Sequence, residues 1–211
     1  MADELVLYTN PRSRGRIARW MLEEVGQPYR AEILDYATTL KAPAYLAINP
    51  MGKVPALRHG AALVTETAAI CAYLADAFPQ AGLAPPPGDR RRAPYYRWLF
   101  FAAGPVEAAV SNKAFGLKLP PEREGNIGYG SYERVIKTLV EALSASDYLA
   151  GGEFSAADLY LGAHIGMGMQ FGTIEKRPVF ELYWLRLASR PAYLRAKALD
   201  DALVPKPQPA G

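Results

Sequence analysis

Asn49-Pro50-Met51-Gly52-Lys53-Val54-Pro55-Ala56-Leu57, followed shortly by Val64-Thr65-Glu66-Thr67, decides how this chain is read. Pro50 and Gly52 mark a loop. Val54 to Leu57 is a strand entered through Pro55, His59-Gly60 makes a tight turn, and Ala62 to Val64 returns as a second strand. Thr65 then starts a helix. A proline confines the residue before it to extended backbone. With a cis Val54–Pro55 bond, the turn would expose the N–H and C=O of Val54 sideways, an edge on which a peptide can pair as a short added strand. The sequence leaves the isomer open, since most X-Pro bonds are trans.

Working outward, Leu5-Val6-Leu7-Tyr8 is an apolar run bounded by Asn10-Pro11 and reads as a buried strand. Beyond Ser13, apolar Ile17, Met21 and Val25 recur at helical spacing as far as Gly26. Tyr29 to Leu34 is a second strand with Tyr29, Ala31 and Ile33 on one face. Strand, helix and strand in this order predict a parallel, right-handed crossover. Ala44 to Ile48 predicts a short helix that Pro50 stops. After the two strands of the opening stretch, Ile70, Leu74 and Phe78 line one face of a helix. The order is βαβ followed by ββα.

The composition then changes. Pro79, Gly82, Pro85, Pro86, Pro87 and Gly88 crowd ten residues, so 79–92 is expected to link a first domain, 1–78, to a second, 93–211. The second is helical throughout. Tyr95 to Phe115 is one aromatic-rich helix, kinked at Gly104-Pro105, and Leu117 to Gly130 is a loop. Val135, Ile136, Leu139, Val140 and Leu143 give an amphipathic helix. Ser155 with Asp158 three residues later forms a capping box, and the helix to Met169 carries so little charge that burial on all sides is expected. Phe180, Tyr183, Trp184 and Leu187 mark another helix, Pro191 opens the last, and Pro205 to Pro209 is a frayed tail.

With 211 residues the chain can bury a sizeable core, and half of it is hydrophobic. A net charge of +3, with Arg90-Arg91-Arg92 as the main basic run, argues for no nucleic-acid partner. No apolar run is long enough to span a membrane, and the acidic start Met1-Ala2-Asp3-Glu4 is unlike a signal peptide. The single cysteine, Cys71, excludes an internal disulfide and a CxxC pair, and a reducing, cytoplasmic setting is expected.

Ser13 lies between a strand end and a helix start. It is either a helix cap or a hydroxyl that donates to an anion in the partly positive field of the helix N-terminus. Only two histidines exist, His59 and His164, and no G-x-S-x-G surrounds Ser13, so a serine-hydrolase site is not formed. Glu66-Thr67 is likewise either a cap or a matched pair. The Thr67 hydroxyl and the helix N–H groups suit a carboxylate, and Glu66 suits an ammonium. Lys53, and more weakly Lys41, suit a second carboxylate.

In order and spacing, Pro11-Arg12-Ser13, Asn49 to Leu57, Glu66-Thr67 and Phe154-Ser155-Ala156-Ala157-Asp158 resemble the cytosolic glutathione S-transferases across nearly the whole chain. The resemblance implies a thioredoxin-like N-terminal domain with a mixed four-stranded sheet, and an all-α C-terminal domain. It implies glutathione as co-substrate, a small hydrophobic electrophile, no metal and a homodimer. Val54 would pair with the cysteinyl backbone and Pro55 would be the cis-proline. Glu66 and Thr67 would hold the γ-glutamyl end, and Lys53 the glycyl carboxylate. Ser13 matches the serine that activates the thiol in theta- and delta-like members, with Tyr8 second and Asn10 third as donors to the sulfur. Thr67 stands where many members have serine, and Ala68 where some have arginine. The electrophile would lie against the Phe100 to Phe115 helix. Isomerase, dehalogenase or peroxidase chemistry, or glutathione binding without catalysis, are the alternatives on the same scaffold.

Overall fold

The computed structural model describes residues 3–117 and 120–204. Strands β1 (Leu5–Thr9), β2 (Arg30–Ile33), β3 (Ala56–His59) and β4 (Ala62–Thr65) form one sheet in the order β2-β1-β3-β4. β1 and β2 run parallel, joined through α1 (Gly15–Val25), and the other pairs are antiparallel. This is the expected mixed sheet of a thioredoxin-like domain. Val6, Tyr8 and Ala56 share one core with Leu40 and Tyr45. Leu5, Leu7 and Leu57 are equally buried. The two-residue period of a strand sends them to the opposite face, where α1 and α3 (Thr67–Ala77) pack together.

Several boundaries differ from expectation for local reasons. β3 starts at Ala56, because Pro55 has no N–H to give the ladder. β4 continues to Thr65 and α3 begins at Thr67, because Glu66 between them takes a positive φ of 66°. The short helix α2 (Pro43–Leu46) opens on a proline at its first position, where the missing N–H costs nothing, and a 3₁₀ turn, Thr39–Lys41, precedes it.

The expected long helix is α4 (Arg92–Phe101) and α5 (Glu107–Ala114), joined by a π turn at Ala102–Val106 that contains Pro105. Proline lacks the N–H for the regular bond and crowds the preceding turn, and a widened turn absorbs both. α6 (Tyr132–Ala145), α7 (Ala156–Phe171), α8 (Pro178–Ala188) and α9 (Pro191–Asp201) follow. The expected loop before α6 contains a 3₁₀ segment, Pro121–Asn126. The tail from Pro205 lies outside the described residues.

The chain divides into two compact units. One holds the residues up to Ala81 together with the stretch from Arg190 onward, and the other is Gly82–Ser189. The linker expected at 79–92 straddles this boundary. The last helix, which the sequence assigned to 93–211, thus groups with the first unit. Its side chains explain why. Arg19 Nε donates to Asp200 Oδ1 at 2.8 Å, with both residues buried. Arg190 makes a two-pronged bond to Glu24 at 2.6 and 2.8 Å, and Trp20 meets the Tyr193 ring edge-on at 4.9 Å.

In the second unit α7 is buried almost all round, as its composition predicts. The capping box forms as expected. Asp158 Oδ1 accepts from the Leu149 N–H (2.8 Å) and the Tyr183 hydroxyl (2.9 Å). Oδ2 accepts from the Ser155 N–H (3.0 Å) and hydroxyl (2.8 Å). Burial pushes the Asp158 carboxyl above the usual carboxylate range, and these four donors pull it part of the way back. Bare glycines let α8 come close to α7. A Cβ on Gly162 would stand 2.1 Å from Leu187, and one on Gly166 2.6 Å from Trp184.

Candidate active site

The sheet register collects three loops at one end. Tyr8 pairs with Ala56, and Ala56 with Thr65. Asn10 to Ser13 leave the end of β1, Val54-Pro55 precede β3, and Glu66-Thr67 follow β4. Residues more than fifty positions apart in the chain therefore leave the same edge. Thr9 pairs with Ile33, which brings the end of β2 alongside.

In the first loop Asn10 is the tie. Its Nδ2 donates to the Leu34 carbonyl at 2.7 Å, and its Oδ1 accepts the Arg12 N–H at 2.9 Å. Both ends of the amide are thus engaged. Ser13 Oγ accepts from the Gly15 N–H at 2.9 Å and donates to the Asn10 carbonyl at 2.7 Å. The serine meets one of the unsatisfied donors of the first turn of α1, and its hydroxyl is half-buried beside a helix N-terminus with no acidic residue in that turn. Its own proton rests on a neutral carbonyl, from which it can be turned to an anion. Tyr8 is buried, with its ring 5.9 Å from that of Tyr45.

The second loop carries the cis bond: the Val54–Pro55 peptide is cis. Pro55 is buried, Val54 half-buried, and Lys53 and Lys41 are exposed. No backbone hydrogen bond among the described residues engages Val54, so its N–H and C=O remain available to an added strand. Two side chains that sequence reasoning did not single out hold this loop. The Tyr45 hydroxyl donates to the Lys53 carbonyl at 2.5 Å, and Asn49 Nδ2 donates to the same oxygen at 2.9 Å. Burial, assisted by the neighbouring Tyr8, pushes the Tyr45 hydroxyl up to about 12. It stays a protonated donor at any physiological pH.

In the third loop Glu66 is the one non-glycine residue with positive φ among the described residues. Such backbone is sterically unfavourable for a residue with a Cβ and persists where the surroundings impose it. Glu66 is exposed and makes no side-chain cap, so the simple capping role is not realised. Thr67 is buried at the first position of α3. The first-turn N–H groups of α3 face this end without a carboxylate of their own. The sequence offered no signal for the Glu66 conformation, because glutamate does not mark such a position.

Cys71 is fully buried on α3, and burial pushes its thiol up, so it is not a reactive thiol. Among the described residues no cluster of His, Cys, Asp or Glu has a metal-binding arrangement, and no helix is long and apolar enough to cross a membrane.

Comparison with known proteins bears directly on this arrangement. Residues 13–77 match the family model of the glutathione S-transferase N-terminal domain, a span that begins at Ser13 of the first loop and covers the second and third loops. Glutathione S-transferase GST-4.5 of Xanthomonas campestris is 31% identical over 161 residues, which is 74% of this chain and 78% of that protein. Glutathione S-transferase 3 of Zea mays is 28% identical over 97% of this chain and 96% of its own length. Among solved structures, a sphingomonad glutathione S-transferase complexed with glutathione superposes with a TM-score of 0.76. It is 29% identical, and the match covers 93% of this chain and 98% of that one. Both the sequence match along most of the chain and the sheet with its helical unit point the same way, and the chain belongs to the glutathione S-transferase family.

Proposed function

We propose that this transferase binds glutathione along the three loops and activates its thiol for attack on a hydrophobic electrophile. The observation that carries the proposal is the register Tyr8–Ala56–Thr65, which sets a hydroxyl, an open backbone edge and a polar helix start in one row. Glutathione presents matching groups in the same order. Val54 would pair with the cysteinyl backbone beside the cis Pro55. Glu66 would take the α-ammonium of the γ-glutamyl end, and Thr67 with the α3 N–H groups its α-carboxylate. Lys53, with Lys41 further off, would meet the glycyl carboxylate.

Ser13 would be the donor to sulfur, as in theta- and delta-like relatives. A free thiol with a pKa of about 8.5 is mostly protonated at neutral pH. A hydroxyl donor at a helix N-terminus favours the thiolate, which is the nucleophile. Asn10 is less suited, because its amide already bonds at both ends. The thiolate adds to the electrophilic carbon, displaces the leaving group and leaves a thioether. A homodimer in the cytoplasm completes the proposal, and the lone buried cysteine suits a reducing compartment.

The test is conjugation of glutathione to a chlorinated nitroarene by wild type, Ser13→Ala and Tyr8→Phe. Ser13→Ala is expected to lose most turnover at neutral pH and Tyr8→Phe to keep it. The opposite pattern would move the donor role to Tyr8. Glutathione binding without turnover on several electrophiles would remove the conjugation activity.

A further inference from the structure

Thr9 ends β1 and is fully buried, yet its hydroxyl has no hydrogen-bond partner among the described residues. Its backbone is fixed: the Thr9 carbonyl accepts the Leu34 N–H at 2.8 Å, and Thr9 pairs with Ile33 in the ladder. Its branched side chain is stiff about the first torsion. That side chain points at the first turn of α1. A Cβ on Gly15 would stand 1.9 Å from Thr9 Oγ1 and 2.9 Å from Ser13 Oγ. The two hydroxyl oxygens therefore border the same small space, which residue 15 leaves open by having no side chain. Buried hydroxyls are almost always paired, and valine would fill this volume without leaving one orphaned.

Ser13 Oγ can receive that missing bond. It accepts one hydrogen bond, from the Gly15 N–H, and sends its proton to the Asn10 carbonyl. A hydroxyl oxygen accepts two, so one lone pair is left. We propose that Thr9 is a positioning residue for thiol activation: its hydroxyl donates to Ser13 Oγ when Ser13 turns its own proton from Asn10 to the glutathione sulfur. The inference rests on the assignment of Ser13 as the donor to sulfur. Thr9 to Ser13 to thiolate is a chain of two hydrogen bonds in which the first polarises the second. No proton leaves either hydroxyl, and the proton of the thiol goes to solvent. The partial positive charge at the start of α1 acts on the same anion.

The experiment measures thiolate formation against pH in the glutathione complex. It reads the ultraviolet absorbance of the bound thiolate, and kcat/KM with a chlorinated nitroarene. Thr9→Val keeps the shape and removes the donor. It is expected to raise the apparent thiol pKa, so that turnover at neutral pH falls about three- to tenfold and recovers in alkali. Thr9→Ser is expected to keep the wild-type profile, and Thr9→Val added to Ser13→Ala to change nothing further. Should Thr9→Val fail to fold, Thr9→Ala carries the same expectation. If Ser13→Ala leaves the profile unmoved, the assignment of Ser13 falls and this inference with it. If Ser13→Ala moves the profile and Thr9→Val does not, Thr9 has no part in activation and only the inference falls.

Discussion

The Tyr45 hydroxyl donates to the Lys53 carbonyl oxygen at 2.5 Å, which ties α2 to the loop that enters Pro55. Asn49 Nδ2 adds a second bond to that oxygen, and Asn49 Oδ1 takes the Met51 N–H at 3.1 Å. The backbone edge at Val54 is therefore held from behind by side chains that need not touch a ligand. Tyr45→Phe removes one of the two bonds and keeps the ring. It is expected to cost about 1 kcal/mol of stability and to raise KM for glutathione several-fold with little change in kcat. Asn49→Ala removes two bonds and is expected to do more on both counts. Calorimetric titration with glutathione and thermal melts check this. Unchanged affinity in Tyr45→Phe would mean that the loop is held by other means.

Glu66 combines a backbone cost with an exposed charge. Glu66→Gly removes the Cβ that makes positive φ unfavourable, and a gain of about 1 kcal/mol in stability is expected. Glutathione affinity is expected to fall at least tenfold, because the partner for the ammonium is gone. Glu66→Gln keeps the shape and is expected to lose affinity without gaining stability. A stabilised Glu66→Gly protein with full affinity would show that the strained residue has no binding role.

Arg19 and Asp200 form a buried pair between α1 and α9. Asp200→Ala leaves a guanidinium without its counter-charge in the interior, and a loss of about 3–5 kcal/mol is expected. Arg19→Met combined with Asp200→Leu is expected to recover most of it, since apolar replacement of both partners removes the desolvation cost. Urea unfolding of the three proteins is the measurement. A double variant no better than Asp200→Ala would assign the pair a role beyond charge compensation.

Asp158 accepts four hydrogen bonds, and an amide there would set an NH₂ group against at least one backbone N–H. Asp158→Asn is expected to destabilise by about 2–3 kcal/mol at neutral pH. Burial raises the Asp158 carboxyl above its unfolded value, so the folded state binds the proton more tightly. Wild type then gains stability from this group as pH falls through the raised pKa towards the unfolded one. The amide does not titrate, so the penalty of the substitution is expected to grow over that acid window. Denaturant melts at neutral and acid pH decide it: a penalty that shrinks in acid would reverse the assigned direction.

Much of the fold was legible because local rules carried it. The apolar run at Leu5 to Tyr8, the helical spacing after Ser13 and the proline-rich break each have a short-range cause. The capping box at Ser155 and Asp158 was readable for the same reason. What escaped depends on partners distant in sequence. α9 reads as one more helix of the second domain, and its packing on α1, with the Asp200–Arg19 pair, the Arg190–Glu24 pair just before it and the Tyr193–Trp20 ring contact, groups it with the first unit. Asn10 reads as a possible donor to sulfur, and only the fold shows that its Nδ2 donates to the Leu34 carbonyl while its Oδ1 accepts the Arg12 N–H, with a second N–H left on the nitrogen. Thr9 lay one residue past the strand as first read, and nothing in its neighbours marks its hydroxyl as buried and unpaired.

By itself the sequence determined the order of elements, the composition break and the residue types along the three loops. Those follow from side-chain periodicity, from proline and glycine, and from caps, all of which act within a few residues. Tertiary structure alone decided the cis state of Val54–Pro55, the positive φ of Glu66 and the register that sets Tyr8 across from Ala56 and Ala56 across from Thr65. These are set by pairing and packing between segments tens of residues apart, where the choice among locally allowed conformations is made by what each segment meets. The opening stretch, 49–67, therefore carried two of the three loops, and the sheet set them at the same end as the loop that leaves β1.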